Sequence, residues 1–398
     1  MPEYRFDEIA ILRNEKRTPV PEDKYTYVGL EHLDSGKLEV TRWGSEVDIK
    51  GEKLVMHKGD ILFGRRNTYL KRAAIAPHDG LFSAHGMIFR PNTKVISERL
   101  FPFFIASDYF MDAAIRISVG SLSPTVNWKT LRELKFKLPP LEQQNELADL
   151  MQAANDTKVA YEQILLQIDE LVKSQFIEMF GSPFENNLGW DMGTIRDIVS
   201  DVRYGSSRKA SPDGKYPYLR MNNITYGGEL DLSDVKRIDI PDDELEKCSV
   251  RRGDVLFNRT NSKELVGKTC MYDRDELMVL AGFVIRVRLN NRAIPEFLAQ
   301  YMNLPHIKEL LLSMCKAACG QANINAQEFQ DIPIYIPPVE KQQAFVGLKE
   351  QSDKSKFVCS NRNLSRCLAG ISIHEDGYQM LPLFPVDSLR TPREQACL

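Results

Sequence analysis

The chain repeats part of its own sequence once, about half its length apart. The segment 58–63, Lys-Gly-Asp-Ile-Leu-Phe, returns at 252–257 as Arg-Gly-Asp-Val-Leu-Phe, and a Pro-Pro-Leu-Glu-Gln-Gln run at 139–144 returns at 337–343 as Pro-Pro-Val-Glu-Lys-Gln-Gln. The offset grows steadily, from 191 between Tyr27 and Tyr218 to 198 between Asn127 and Asn325. Short loop insertions in two copies of one domain produce such a drift, whereas solenoid repeats have periods of about 20–50 residues. The sequence therefore predicts two similar domains that bind two similar targets.

Length and composition are compatible with two domains and their connectors. The 398 residues are 43% hydrophobic and 27% charged, and domains usually hold about 100–200 residues. No run reaches the roughly 18 uninterrupted apolar residues typical of a membrane helix, and the N-terminus lacks the basic start and apolar run of a signal peptide. The seven cysteines have irregular spacings, which do not suggest a disulfide framework. We therefore expect a cytoplasmic protein.

The connector between the copies is acidic and strongly helical in character. Residues 141–180 contain no Pro or Gly, and their 2 basic and 8 acidic side chains give a net charge of −6. Apolar residues recur there at three- and four-residue steps, which predicts an amphipathic helix over 141–181 that faces a partner helix. At 1.5 Å per residue, such a helix is roughly 60 Å long. The residues predicted to pack are Leu147, Leu150, Tyr161, Ile164, Ile168 and Leu171.

The second Pro-Pro pair starts another predicted helix, which is the natural antiparallel partner of the first. Its apolar side would carry Phe345, Val346 and Leu348. An alternative is that the connector helix packs on the surface of one domain. The sequence alone leaves both arrangements open.

Within each copy, short β-like runs come first and a helical stretch follows. The β-like runs include 54–56, 61–63 and 87–89 in the first copy and 255–257 and 283–289 in the second, and the helical stretches are 96–117 and 294–318. This order indicates two α+β domains, each a twisted β-rich sheet plus helices. The predicted segments are domain one at 1–140, a long spacer helix at 141–181, domain two at 182–338, a shortened spacer helix at 339–357 and an atypical tail at 358–398.

A search for catalytic motifs finds little. No His-Glu-x-x-His, Cys-x-x-Cys pair or nucleophile elbow occurs in the sequence. Gly267-Lys268-Thr269 resembles the end of a phosphate-binding loop, but Ser262 stands where that loop needs a glycine. The Asn/Asp-Pro-Pro-aromatic motif of adenine-specific DNA methylases is also missing, because the two Pro-Pro pairs follow Leu138 and Ile336. We therefore predict no catalytic residues and no metal site in this chain.

Polar loops at equivalent points of the two copies indicate binding instead. Arg can read guanine and Asn adenine through paired hydrogen bonds, whereas Lys and Ser hold phosphates and fix the register on DNA. A solvated surface remains the alternative for each loop taken singly. The DNA-binding candidates are Arg65, Arg66, Asn67, Tyr69, Lys71, Arg72, Tyr204, Ser206, Ser207, Arg208, Lys209, Arg259, Asn261 and Lys263.

Taken together, the doubled Gly-Asp motif, the doubled Pro-Pro helix start and the long connector helix resemble the specificity subunit of a type I restriction-modification system. The resemblance covers residues 1 to about 357. It implies two target recognition domains, each reading one half of a split double-stranded DNA site, separated by long antiparallel coiled-coil helices that fix the gap. It also implies partners, namely methyltransferase subunits and restriction-translocase subunits. S-adenosylmethionine, ATP and Mg would belong to those partners, and this chain would hold no cofactor.

The C-terminal end departs from that pattern. Beyond Phe357 the apolar periodicity stops, and the remaining residues include three of the seven cysteines and several Gly and Pro. A replaced end and a natural lineage-specific tail are both compatible with this sequence. In either case, part of the first spacer helix would lack its usual mate, leaving an apolar stripe exposed or covered by a partner chain.

Two other classes of function compete with the recognition subunit. One is a standalone DNA methylase or nuclease with built-in recognition domains, which would need an S-adenosylmethionine or metal motif. The other is an assembly scaffold whose two domains bind proteins rather than DNA. Salt dependence separates the scaffold from a DNA-binding protein, because phosphate contacts weaken steeply with salt.

Overall fold

A computed structural model describes residues 1–262, 265–315 and 322–360, with side chains described through 356. The described chain forms two compact units, Met1–Glu162 and Gln163–Cys359. The predicted tail, 358–398, lies outside the described residues apart from the backbone of its first three.

The first unit contains nine strands and the first five helices. The strands are β1 (Glu3–Arg5), β2 (Ala10–Arg13), β3 (Lys16–Arg17), β4 (Lys53–Met56), β5 (Ile61–Phe63), β6 (Ala73–Ile75), β7 (Gly80–Phe82), β8 (Met87–Pro91) and β9 (Lys135–Lys137). The helices are α1 (Phe6–Ile9), α2 (Phe101–Ala106), α3 (Asp108–Arg116), α4 (Trp128–Leu131) and α5 (Leu141–Phe180), the last of which continues into the second unit.

The second unit contains the remaining twelve described strands and five described helices. The strands are β10 (Asp191–Thr194), β11 (Val199–Tyr204), β12 (Tyr216–Leu219), β13 (Lys236–Ile238), β14 (Ser249–Val250), β15 (Val255–Asn258), β16 (Thr260–Asn261), β17 (Thr269–Met271), β18 (Met278–Leu280), β19 (Val284–Leu289), β20 (Ala322–Asn323) and β21 (Pro333–Ile336). The helices are α6 (Asp242–Cys248), α7 (Pro295–Met302), α8 (Pro305–Met314), α9 (Ala326–Gln330) and α10 (Val339–Ser360).

Both units have the same central sheet. Its strand order is β2-β8-β5-β6 in the first unit and β11-β19-β15-β17 in the second, and all neighbours are antiparallel. A two-stranded ladder accompanies each sheet, β1 with β9 and β10 with β21. The shared topology confirms the prediction of two duplicated α+β domains.

The doubled Gly-Asp motif forms the turn that enters the central strand of each sheet. Gly59 and Gly253 have φ values of 90° and 88°, a left-handed conformation that glycine adopts without strain. The following side chain, Asp60 or Asp254, is 3% exposed and accepts a hydrogen bond from the backbone N–H three residues earlier. Each carboxylate also pairs with an arginine of the neighbouring strand, Arg90 or Arg288. The motif therefore stabilises the sheet in both copies.

Each predicted helical stretch is in fact two short helices. Ser107 interrupts the first stretch, because its hydroxyl accepts a hydrogen bond from the N–H of Phe110 and caps a new helix, α3. Pro305 begins α8 in the second unit, since proline cannot donate the backbone hydrogen bond that would continue α7. The second predicted stretch, 294–318, also ends among residues outside the described part of the chain.

The Pro-Pro-x-Glu-x-Gln pattern places a buried glutamine at the start of each long helix. Gln144 accepts a hydrogen bond from the N–H of Ser97 at 2.7 Å and donates to the carbonyls of Val95 and Pro139 at 2.9 and 2.8 Å. Gln342 makes the equivalent three bonds, to Ile294, Arg292 and Pro337. These side chains are 1% and 0% exposed. Each glutamine thus fastens its helix to the domain before it.

The connector is one uninterrupted helix, α5, which ends where Gly181 takes a left-handed φ of 82°. Within the second unit, its C-terminal part packs antiparallel to α10. The ring of Phe345 lies 5.1 Å from that of Phe176, and Lys356, later on α10, pairs with Asp169, earlier on α5. The helix α10 extends to Ser360, three residues past its predicted end.

The packed face of α5 differs in part from the predicted stripe. Leu147 is buried, and Tyr161 and Ile168 are half-buried. Leu150, Ile164 and Leu171 remain 48%, 40% and 51% exposed, so the described chain does not bury them as predicted. The buried face of α5 in the second unit consists of Val172, which also belongs to the predicted apolar stripe, and of Phe176 and Phe180. Their spacing of four residues directs them to the aromatic cluster around Phe345 and Phe297.

Candidate nucleic-acid interface

The loop after the central strand has the same backbone frame in both units. The carbonyl of Arg65, directly after β5 and Gly64, accepts a hydrogen bond from the N–H of Val126 at 2.9 Å. The carbonyl of Arg259, directly after β15, accepts one from the N–H of Ile324, also at 2.9 Å. A second polar loop thus holds the backbone of each arginine in place.

Arg65 and Arg259 carry guanidinium groups without an ion pair among the described residues. Their terminal nitrogens lie 3.4 and 3.5 Å from the carbonyls of Ala84 and Gly282, which are long contacts, and each Nε is buried without a hydrogen-bond partner. The Tyr204 ring lies beside Arg259, with 4.8 Å between the guanidinium carbon and the ring centroid. Two equivalent half-buried cations, neither neutralised within the described chain, can accept an anion or an acceptor-rich base edge.

The residues beside these arginines also occupy matching positions. Arg66 forms a bridge with Thr125, and Thr260 in the second unit pairs with Asn323 as β16 joins β20. Asn67 adopts a left-handed conformation, with φ 55° and ψ 51°, and its buried Oδ1 has no hydrogen-bond partner in the described structure. Its counterpart Asn261 accepts a hydrogen bond from the N–H of Ser262 at 2.8 Å.

Three other candidates already have partners within the chain. Lys71 pairs with Asp108 at 2.5 Å and Asp112 at 2.7 Å, and its pKa is raised because these hydrogen bonds outweigh the opposing effect of burial. Arg208 forms a bidentate ion pair with Glu244, at 3.0 and 2.7 Å, which lowers the pKa of that carboxyl. Ser206 is 9% exposed, and its hydroxyl accepts a hydrogen bond from the N–H of Arg208. In the described structure, Lys71, Arg208 and Ser206 therefore stabilise the fold through these contacts.

The remaining candidates differ in exposure. Tyr69 and Tyr204 are 56% and 44% exposed, and Ser207 and Lys209 are exposed as well. Arg72 is half-buried, and its carbonyl accepts a hydrogen bond from Gly64. Lys263 lies outside the described residues.

Sequence reasoning missed two cations of the second unit, Lys268 and Lys308. In the sequence, Lys268 resembles only the end of a nucleotide loop, whereas the structure places it directly before β17. Lys308 lies within a predicted helical stretch and carried no motif. Only the fold brings the two near each other.

The described ranges contain neither a metal-binding cluster nor a membrane-spanning helix. No group of three or more His, Cys, Asp or Glu side chains is arranged there to hold a metal ion. None of the helices described is both long and apolar enough to span a bilayer.

Comparison with known proteins identifies the family of this chain. A family model described as "Type I restriction modification DNA specificity domain" matches the chain twice, at residues 4–170 and 187–354. The chain is 25% identical over 296 residues to the EcoKI type I restriction enzyme specificity subunit of Escherichia coli K12, covering 69% of this chain and 62% of that subunit. It is also 25% identical over 375 residues to a putative type I restriction enzyme specificity subunit, MjaX, of Methanocaldococcus jannaschii, covering 85% of this chain and 83% of the relative.

A solved structure agrees on the fold. It comes from work on the complex assembly and conformational transition of a type I R-M system, and it matches with a TM-score of 0.51 at 18% identity. The match covers 92% of this chain and 95% of that one.

Proposed function

Because the chain belongs to the type I restriction modification DNA specificity family and carries the family's domain twice, we propose that it recognises a DNA site in two parts. Each unit reads one half-site, and the chain directs partner methyltransferase and restriction subunits to that DNA. The observation that carries the proposal is the pair Arg65 and Arg259, two equivalent arginines with no ion pair among the described residues.

The chemistry of these arginines suits DNA. A guanidinium offers several donors in a fixed plane, which match the O6 and N7 acceptors of guanine or the oxygens of a phosphate. Lys71 and Arg208 are weaker candidates, because carboxylates of the same chain already neutralise them. We therefore assign the principal DNA contact of each unit to Arg65 and Arg259.

The uninterrupted helix α5 has a role in the same proposal. A continuous helix bends far less than a loop, so the chain should accept only a narrow range of spacings between half-sites. Within the second unit, α10 packs on it antiparallel and supports it.

Catalysis would reside in the partner subunits. On this proposal the chain contributes recognition alone, whereas S-adenosylmethionine, ATP and Mg bind to the methyltransferase and restriction subunits. Such a complex would act in the cytoplasm, where those compounds and the DNA are present.

The test uses the chain in complex with its methyltransferase subunits. Mapping the methylated adenines in host DNA gives the site, and duplexes with one half-site randomised then measure each half separately. Arg65→Ala should abolish the preference at one half-site and Arg259→Ala at the other.

Matched controls lie at the opposite end of the same strands. Lys58 and Arg252 are equivalent exposed cations that precede the Gly-Asp turn, and replacing either by Ala should leave both preferences intact. Absence of any sequence preference in the folded wild-type complex would refute the proposal.

A further inference from the structure

A second cation site lies in the second unit, next to Arg259. The N–H of Asn258, the residue before Arg259, donates to the carbonyl of Lys268 at 2.8 Å. Lys268 is only 7% exposed. Lys308, on α8, donates from Nζ to the carbonyl of Gly267 at 2.8 Å, which brings the second ammonium to the same turn.

Neither lysine has a carboxylate partner among the described residues. Among the described residues, the ammonium of Lys308 donates to a neutral carbonyl, and its Nζ lies 5.1 Å from the centroid of the Tyr226 ring. Burial lowers the pKa of both ammoniums, that of Lys308 to about 8 with a smaller contribution from the charge of Lys268. Lys268 is buried and Lys308 half-buried. Two such like charges, with no counter-ion among the described residues, destabilise a fold unless an anion joins them.

At the equivalent position of the first unit, carboxylates of the same unit neutralise the charge of a lysine. Lys71 and Gly267 are equivalent, since both are left-handed residues in the same turn, with φ values of 47° and 78°. Lys71 binds Asp108 and Asp112 on α3. The helix starts and buried faces of α3 and α8 align at an offset of 197, so Asp108 corresponds to Pro305 and Asp112 to Glu309. Glu309 is exposed and pairs with neither lysine among the described residues.

The net charge of the position therefore differs between the two copies. Counting side chains, the first unit has Lys71 and Arg72 against Asp108 and Asp112, which sum to zero. The second has Lys268 and Lys308 against Glu309, which sum to +1. Because the two copies share a fold, this difference comes from the side chains and not from the framework.

We propose that Lys268 and Lys308 bind one phosphodiester group of the DNA backbone, and that only the second unit has this contact. The inference rests on the proposed function, because Arg259, at the same end of the β15–β17 pair, is the assigned DNA contact. Lys308 keeps two of its three donors for phosphate oxygens after its bond to Gly267. A phosphate contact fixes the register of the protein on DNA and carries no sequence information of its own.

The test is the salt dependence of binding by the complex with methyltransferase subunits, on a duplex that carries the mapped site. Lys308→Met and Lys268→Met should each weaken binding and reduce the slope of log affinity against log salt by about 1. The ratio of affinities for the mapped and a scrambled site should stay unchanged. Lys308→Arg, which keeps the charge, should keep the slope.

Lys215→Met is the matched control. This lysine also lies over a tyrosine ring, 4.9 Å from the centroid of Tyr216, but its side chain is exposed. Its replacement should leave the slope at the wild-type value.

Three results would overturn the assignment. The first is an unchanged slope in both Met variants, and the second is a slope lost equally in Lys308→Arg and Lys308→Met. The third is a wild type stabilised by inorganic phosphate, with the slope for DNA indifferent to Lys308→Met, since the site would then take free phosphate. Failure of the proposed function is a separate result, because the wild-type complex would then show no preference for any sequence.

Discussion

We expect Gln342→Leu to lower the free energy of unfolding of the second unit far more than the same substitution at its neighbour Gln343. Gln342 is fully buried and joins α10 to the preceding domain through three hydrogen bonds. Gln343 is exposed. The same substitution at these two neighbouring positions therefore isolates the contribution of the buried hydrogen bonds.

The size of the effect follows from the groups left behind. Leucine fills a similar volume but leaves the N–H of Ile294 and the carbonyls of Arg292 and Pro337 without this partner. A buried unpaired donor or acceptor costs about 1–3 kcal/mol. Since the carbonyls can relax toward water more easily than the N–H, we expect a loss of about 3–5 kcal/mol for Gln342→Leu. Surface changes such as Gln343→Leu usually stay within about 0.5 kcal/mol.

Native-state hydrogen exchange measures this loss for each unit separately. Peptides from α7 and α10 should lose about two to three orders of magnitude of protection in Gln342→Leu, at roughly 1.4 kcal/mol per factor of ten. Peptides from β5 and β8 of the first unit should keep theirs. The equivalent variant Gln144→Leu should show the reverse pattern. If Gln342→Leu and Gln343→Leu exchange alike, the buried glutamine does not fasten the helix and the reasoning fails.

Other substitutions test the turn, the ion pair and the lysine site of the second unit. Asp254→Asn should cost about 2–4 kcal/mol in urea unfolding, because it removes the charge that Arg288 pairs with in a nearly buried position; a loss below 1 kcal/mol would contradict this. Gly267→Ala should cost about 1–2 kcal/mol, since φ is 78° there and an added Cβ would lie 2.5 Å from the Leu311 side chain; thermal unfolding that matches the wild type would contradict it. Lys308→Met should raise the free energy of unfolding by about 2 kcal/mol below pH 8, because its folded pKa of about 8 lies below the ordinary 10.5 and part of the side chain stays in water. Between about pH 8 and pH 10.5 the unfolded wild type binds more protons than the folded wild type, so wild-type stability rises with pH. The stability gained in Lys308→Met should therefore vanish toward pH 10.5. A gain that is constant with pH would contradict the lowered pKa of Lys308.

Much of the architecture was predictable because it depends on local patterns. The repeat predicted two domains, and the central sheets share one strand order. The Pro-Pro pairs predicted where both long helices begin, and Gly181 where α5 ends. Proline and glycine restrict the backbone at their own positions, so these signals need no tertiary information.

The packing stripe of α5 was predicted less accurately, because periodicity alone does not select one face of the helix. A period near 3.6 shows that apolar residues share a face, but several overlapping stripes satisfy it. The aromatic cluster of Phe176, Phe180 and Phe345 selected one of them, leaving Leu150 and Leu171 exposed.

The sequence by itself determined the duplication, the α+β class, the starts of both long helices, the end of α5 and the set of basic loop residues, because each is recorded in neighbouring residues. Only the tertiary structure decided which of those cations have partners. Lys71 meets Asp108 and Arg208 meets Glu244 across 37 and 36 residues of chain, whereas Arg65 and Arg259 meet no carboxylate among the described residues. Ion pairing depends on distances of a few ångströms, and those distances are set by the folded sheet rather than by spacing along the chain.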